Sequence, residues 1–233
     1  ALALAAILAL EGNAQDLVFT NKSTSDLLFY VMDDVPGETL RERLTRERQL
    51  EPADAARITA DLAAALDAAG KAGVVHRDIK PENILLDSQT GRAMLVDFGI
   101  ARAIASDPSV ASVTGAGVAV GTPTYMSPEQ AAGEEVDTRS DIYSLGIAAY
   151  EMLAGAPPFE GSNRVVVSKH IGERPVPLRR VRPETPPHLA AAIMHALEKS
   201  PAARWQTGED FRRAVVGEVA VPARRRRNII APA

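Results

Sequence analysis

The chain has no cysteine in its 233 residues, which excludes a disulfide framework and thiolate metal sites. That absence fits a reducing compartment, with the cytosol as the default. A surplus of positive charge is also missing. Lys plus Arg number 26 against 30 Asp plus Glu, a formal charge of −4, so no global basic surface invites DNA or RNA and no nucleic-acid partner is expected. Long apolar runs are lacking too. The opening Ala1 to Leu10 is too short to span a bilayer and has no basic residues before it, so it reads as part of a buried helix and not as a signal peptide or membrane span. No internal repeat is visible. What remains is a chain with 46% hydrophobic residues, enough for one sizeable core or for two lobes sharing a cleft.

Leu27 to Met32 is a continuous apolar and aromatic run of strand length, closed by Asp33, Asp34, Pro36 and Gly37. After Gly37 the period turns helical. Leu40 and Leu44 lie one turn apart, and Ile58, Leu62 and Leu66 repeat every fourth residue, which predicts two helices with the second ending near Gly70 and Gly73. Asn83 to Leu86 and Ala93 to Val96 flank the turn from Asp87 to Gly91, the pattern of a short hairpin. Residues 100 to 120 are Ala, Ser, Gly and Val without a period, a loop long enough to suggest function. Helices are expected over 138 to 154, 163 to 172, 187 to 198 and 208 to 219. The Pro-rich stretch 175 to 187 and the charged helix faces read as solvated surface.

The chemistry gathers directly after the second helix, in His76-Arg77-Asp78-Ile79-Lys80-Pro81-Glu82-Asn83, with Asp97-Phe98-Gly99 following 19 positions after Asp78. Phosphoryl transfer needs a carboxylate that accepts the proton of the attacking hydroxyl, and oxygen ligands that hold Mg²⁺ against the phosphates. Asp78 fits the first role, Asn83 and Asp97 the second. Lys80, two residues on in an extended loop, falls on the same side as Asp78 and can neutralise charge on the transferred group.

These residues resemble the catalytic loop and magnesium motif of the protein kinase family. Ser127-Pro128-Glu129 resembles the close of that family's activation segment, and Gly121-Thr122-Pro123-Thr124-Tyr125 its substrate-docking loop in the serine/threonine branch. Asp141-Ile142-Tyr143-Ser144-Leu145-Gly146 resembles the start of the central helix, whose buried Asp anchors the catalytic-loop backbone, and Arg204 sits where the family pairs an Arg with the Glu at 129. The wording is most similar to bacterial eukaryotic-like kinases.

The resemblance implies an α+β fold, mostly the helical C-lobe of a kinase with a remnant of the β-rich N-lobe. Its parts would be an N-lobe remnant at 1–32, a hinge at 33–37, a C-lobe at 38–219 and a basic tail at 220–233. It further implies ATP and Mg²⁺ as cofactors and the Ser or Thr of proteins as substrate. Catalysis would fall to Asp78 and Lys80. Met32 would be the gatekeeper, Asp33 and Val35 the hinge groups facing adenine, and Leu85 the floor under the base. Lys80, Glu82, Asn83 and Asp97 complete the nucleotide side, with Asn83 and Asp97 as metal ligands. His76 is expected to pack in a buried column with Phe98, and Asp141 and the Glu129–Arg204 pair to hold shape.

Before residue 27 the sequence has neither a glycine-rich G-x-G-x-x-G loop nor a strand lysine of the VAIK kind, and the resemblance is poor over the first 26 residues. The expectation is an open nucleotide site that binds ATP feebly and leaves this chain inactive as given, with a binding or scaffold module of the pseudokinase type as the alternative reading. The strand at 27 to 32 would keep unpaired edges, which favours association with a second copy as a homodimer. At the other end, Arg224 to Arg227 followed by Ile229 and Ile230 reads either as a solvated basic tail or as the basic cluster before a membrane anchor beyond the C-terminus.

Overall fold

The computed structural model describes residues 36–97 and 123–222. The expected opening helix, the strand Leu27 to Met32, hinge residues 33–35, the expected loop at 100–120 and the tail from 223 lie outside the described residues.

The helical lobe begins with a short strand, β1 (Gly37–Thr39), that runs straight into α1 (Leu40–Glu47). Thr39 starts this helix by accepting from the amide of Glu42 while the Glu42 carboxylate accepts from the amide of Thr39, a reciprocal cap that satisfies two otherwise orphaned donors. Helix α2 (Pro52–Lys71) follows. Pro52 is tolerated at the first helical position, where no amide is needed, and Ala55, Ile58, Leu62, Leu66 and Ala69 form one buried stripe. Both helices match the sequence periodicity.

The predicted hairpin is present as β2 (Ile84–Asp87) and β3 (Ala93–Leu95), antiparallel, turning through Gly91 at φ 70°. Strand β1 pairs antiparallel with the other edge of β2, Gly37 opposite Asp87 and Thr39 opposite Leu85. This ties residues 37–39 to the strand that follows the segment 76–83. Ile84 and Leu86 point into the core and Leu85 to the half-buried opposite face.

Beyond the loop come α3 (Pro128–Ala132), α4 (Thr138–Ala154), α5 (Asn163–Gly172), α6 (Leu178–Val181), α7 (Pro187–Ala196) and α8 (Gly208–Val215). Helix α4 is the axis of the lobe. Every residue from Ser140 to Leu153 is buried, as expected of a helix wrapped by others, with α2 against one side and α7 against another. Helix α8 crosses α2 so closely that a Cβ on Gly208 would stand 2.3 Å from the carbonyl oxygen of Ala63. Only glycine permits that approach, and the Asp67 carboxylate receives the next amide, Glu209 N, at 3.1 Å.

Two helices stop short of the expected ends. Helix α7 ends at Ala196 and not at 198, because the Arg204 guanidinium takes the carbonyls of Glu198 and Lys199 at 2.7 and 2.9 Å and turns the chain away. Helix α8 ends at Val215, just ahead of Gly217 in a left-handed conformation at φ 80°.

The Pro-rich stretch corrects the sequence reading more deeply. It is not merely solvated surface. Leu178 is fully buried, and the Arg182 guanidinium is 9% exposed, donating to the carbonyls of Leu50 and Leu153. Prolines delimit helix α6 there, but tertiary packing and not local pattern decides what it buries. Among the described residues no helix is long and apolar enough to cross a membrane.

Candidate active site

Residues 74–79 have neither helical nor strand pairing, yet the segment is held at several points. The carboxylate of Asp141, in the first turn of α4, accepts from the amides of His76 at 2.7 Å and Arg77 at 2.8 Å. Burial pushes the Asp141 carboxyl up to about 7, and the two amide donors pull against it. Arg77 adopts a left-handed backbone at φ 68°, and its carbonyl accepts from Gln130 on α3 at 2.9 Å. Strain of this kind persists only where surrounding bonds over-determine it.

His76 is fully buried and its ring is committed on both sides. Nδ1 accepts from the amide of Asp78 at 3.3 Å, so Nε2 carries the hydrogen and donates to the carbonyl of Val96 at 3.2 Å. Burial lowers its pKa to about 4, against opposing pulls from the Val96 carbonyl and from Asp78 and Asp97. A neutral ring that joins this segment to Val96, the residue after β3, fits the packing role expected of it. Phe98 lies outside the described residues.

Asp78 is the centre of the polar cluster. Its Oδ2 accepts from Lys80 Nζ at 2.6 Å and from Asn83 Nδ2 at 3.0 Å, and its backbone carbonyl accepts from Asn83 at 2.9 Å. Lys80 and Asp78 therefore do fall on one side, as their spacing predicts. Asn83 ends a short 3₁₀ turn, Pro81–Asn83, and its carbonyl takes the amide of Val96 at 3.0 Å, which fixes the chain one residue before Asp97. Asp97 is exposed and has a left-handed backbone at φ 58°, the second strained residue of the site.

The Asn83 amide nitrogen is thus committed to Asp78. An amide oxygen and the Asp97 carboxylate are two hard donors, a set suited to Mg²⁺, which keeps several waters and takes phosphate oxygens for the rest. No cluster of three or more His, Asp or Glu side chains with metal-binding geometry occurs among the described residues.

A narrow cavity lined by Arg77, Asp78, Ile79, Lys80, Tyr125, Met126, Gln130 and Ser144 opens beside this cluster. Its far wall belongs to the segment expected to dock substrate. That wall is fixed by His170 of α5, fully buried, whose Nε2 lies 3.0 Å from the carbonyl of Thr124 and whose Nδ1 lies 3.0 Å from the Tyr143 hydroxyl. Burial, reinforced by nearby Lys199, lowers His170 to about 4. Behind the wall, Glu129 receives both ends of the Arg204 fork at 2.7 Å and a hydrogen bond from Ser140. Burial opposes ionisation of Glu129, but the Arg204 and Ser140 bonds outweigh it and hold its pKa below the ordinary value.

Of the expected site residues, the structure brings together Asp78, Lys80 and Asn83. It puts Leu85 on the half-buried face of β2, and engages Glu82 in an ion pair with Arg41 at 2.8 Å. Met32, Asp33 and Val35 lie outside the described residues. The ion pairs of Arg41 with Glu82 and Glu151 are contacts that sequence reasoning missed. Charged helix faces are expected as solvated surface, and nothing in the spacing of LRER marks Arg41 out.

The model of the protein kinase domain family matches residues 13–209, and the chain belongs to that family. The match begins inside the first 26 residues, where the motifs alone show little likeness. The chain is 43% identical over 187 residues to the serine/threonine-protein kinase PknB of Mycolicibacterium smegmatis, covering 80% of this chain and 29% of that protein. It is 42% identical over 185 residues to a probable serine/threonine-protein kinase of Streptomyces coelicolor, SCO3848, covering 79% and 27%. The crystal structure of the Mycobacterium tuberculosis PknI kinase domain superposes with a TM-score of 0.63 at 29% identity, covering 82% of this chain and 66% of that one. The chain thus spans less than a third of the length of these two curated relatives. All three are named as kinases, which lends the scaffold alternative no support.

Proposed function

We propose that this chain is the catalytic region of a serine/threonine protein kinase that moves the γ-phosphoryl group of ATP to a Ser or Thr hydroxyl of a protein. One observation carries the reading: a single carboxylate oxygen of Asp78 is held by both Lys80 and Asn83, at 2.6 and 3.0 Å, beside a cavity that Tyr125 and Met126 also line.

In this reaction the substrate oxygen forms a bond to the γ-phosphorus as the bond to the bridging oxygen breaks, and ADP leaves. Asp78 orients the hydroxyl and receives its proton. Lys80 then trades its contact with Asp78 for the oxygens of the group in flight. Asn83 and Asp97 would hold Mg²⁺, which would supply neutralisation of phosphate charge. Leu85, with Met32, Asp33 and Val35, takes the adenine, and Glu82 completes the nucleotide-binding set. The family relationship and the three kinase relatives support this assignment; the protein substrate is set by surfaces beyond it.

The test is transfer of label from γ-labelled ATP to a Ser/Thr peptide. Asp97→Asn is expected to lower transfer by at least about 10²-fold and, in calorimetry, to abolish the gain in nucleotide affinity that Mg²⁺ brings to the wild type. No transfer by the wild-type protein, or unchanged Mg²⁺ dependence in the variant, would overturn the proposal.

A further inference from the structure

Helix α5 buries two of its side chains, Val166 and His170, one turn apart. Val166 is the aliphatic residue that such a stripe calls for. His170 is not, because an imidazole taken out of water must find partners for both ring nitrogens. Its ring packing does not explain it: Phe159 and Tyr143 stand edge-on at 5.0 and 5.8 Å, contacts that an apolar side chain of similar size also makes.

What the imidazole adds is direction. Lys199, which follows α7, donates from Nζ to the Tyr143 hydroxyl at 3.2 Å and to the carbonyl of Lys169 at 3.1 Å. An ammonium can only donate, so the hydroxyl directs its own hydrogen to His170 Nδ1, 3.0 Å away. The hydrogen of the neutral ring is thereby placed on Nε2, 3.0 Å from the carbonyl of Thr124. Each link is a donor facing an acceptor, from a partly exposed cation to the backbone of the 3₁₀ turn Pro123–Tyr125. Tyr125 and Met126 line the cavity shared with Asp78 and Lys80, and Met126 N closes the turn on the carbonyl of Pro123 at 3.1 Å. Beyond Met126 the chain is held separately, by the reciprocal cap between Ser127 and Gln130.

We propose that His170 is a positioning residue for the protein substrate. Through the Thr124 carbonyl it fixes how far Tyr125 and Met126 stand from Asp78, and so sets the affinity for the peptide beside them while leaving ATP and the proton transfer untouched. This rests on the kinase reading of the same site. A ring that merely filled space would not depend on which of its nitrogens a replacement imitates.

The experiment divides the ring between two amides. The side-chain amide of glutamine reaches about as far as Nε2 and can donate to Thr124, while that of asparagine reaches about as far as Nδ1 and can accept from Tyr143. His170→Asn is expected to raise the KM for a Ser/Thr peptide about five- to tenfold, the effect of losing one buried hydrogen bond, with kcat and the KM for ATP within about twofold of wild type. His170→Gln is expected to stay within about twofold in all three. Hydrogen exchange gives a readout that needs no turnover: the Met126 amide should exchange about tenfold faster in His170→Asn but not in His170→Gln, while amides in the middle of α4 keep their wild-type rates. An unchanged peptide KM in His170→Asn overturns the proposal. So do equal losses in the two variants, or faster exchange throughout α4, either of which reduces His170 to packing. A wild type that transfers no phosphate removes the kinase reading by itself; faster Met126 exchange confined to His170→Asn then still supports the tie, and unchanged exchange overturns it.

Discussion

Asp78→Asn is expected to lower phosphoryl transfer by about 10²- to 10⁴-fold with little change in ATP affinity. An asparagine oxygen can still accept from Lys80 and Asn83, which hold Asp78 at 2.6 and 3.0 Å, so the loop has no cause to move. What disappears is the ability to take the hydroxyl proton. Removal of a group used only in the transition state shows in kcat and not in nucleotide KM, and an unchanged Tm excludes unfolding as the cause. Turnover within about threefold of wild type would remove Asp78 from the mechanism.

The largest loss of stability is expected from Arg204→Ala. The guanidinium is fully buried, bonded twice to Glu129, and also donates to the carbonyls of Glu198, Lys199 and Arg139. Its loss strands a buried carboxylate, a change that costs about 3–5 kcal/mol in comparable pairs. For a domain of this size that is a fall in Tm on the order of 10 °C. Arg204→Lys keeps the charge but not the fork and should fall between. Because the pKa of Glu129 is lowered in the folded state, the pair's contribution is present above the ordinary glutamate value and is lost as pH falls below it. The wild-type to Arg204→Ala gap in Tm should therefore narrow in acid, and a gap under about 2 °C at neutral pH would show that the pair is dispensable.

Local chemistry was the legible part of this molecule. Asp78, Lys80 and Asn83 lie within six residues, so their convergence follows from an extended loop and one 3₁₀ turn. Leu40 with Leu44, and Ile58 with Leu62 and Leu66, announced α1 and α2 through period alone. The bonds from Asp141 to His76 and from Arg204 to Glu129 span 65 and 75 residues, and only resemblance to known kinases could anticipate them. Where no motif marked a long-range partner, reading failed. Arg41 and Arg182 both sit among other arginines in segments with every local sign of a wet surface, and their burial is decided by Glu151, Leu50 and Leu153, all far along the chain.

The bond pair from Asp141 has a consequence for motion. Amides in an irregular segment ordinarily exchange their hydrogen with solvent quickly, through small local openings. Those of His76 and Arg77 end on a carboxylate carried by the fully buried helix α4. Releasing them requires the Asp141 carboxylate, or α4 with it, to move, and both are buried. Hydrogen exchange should therefore find these two amides as protected as the core of α4 itself, so that the loop beside the catalytic carboxylate has the clock of a helix without its shape.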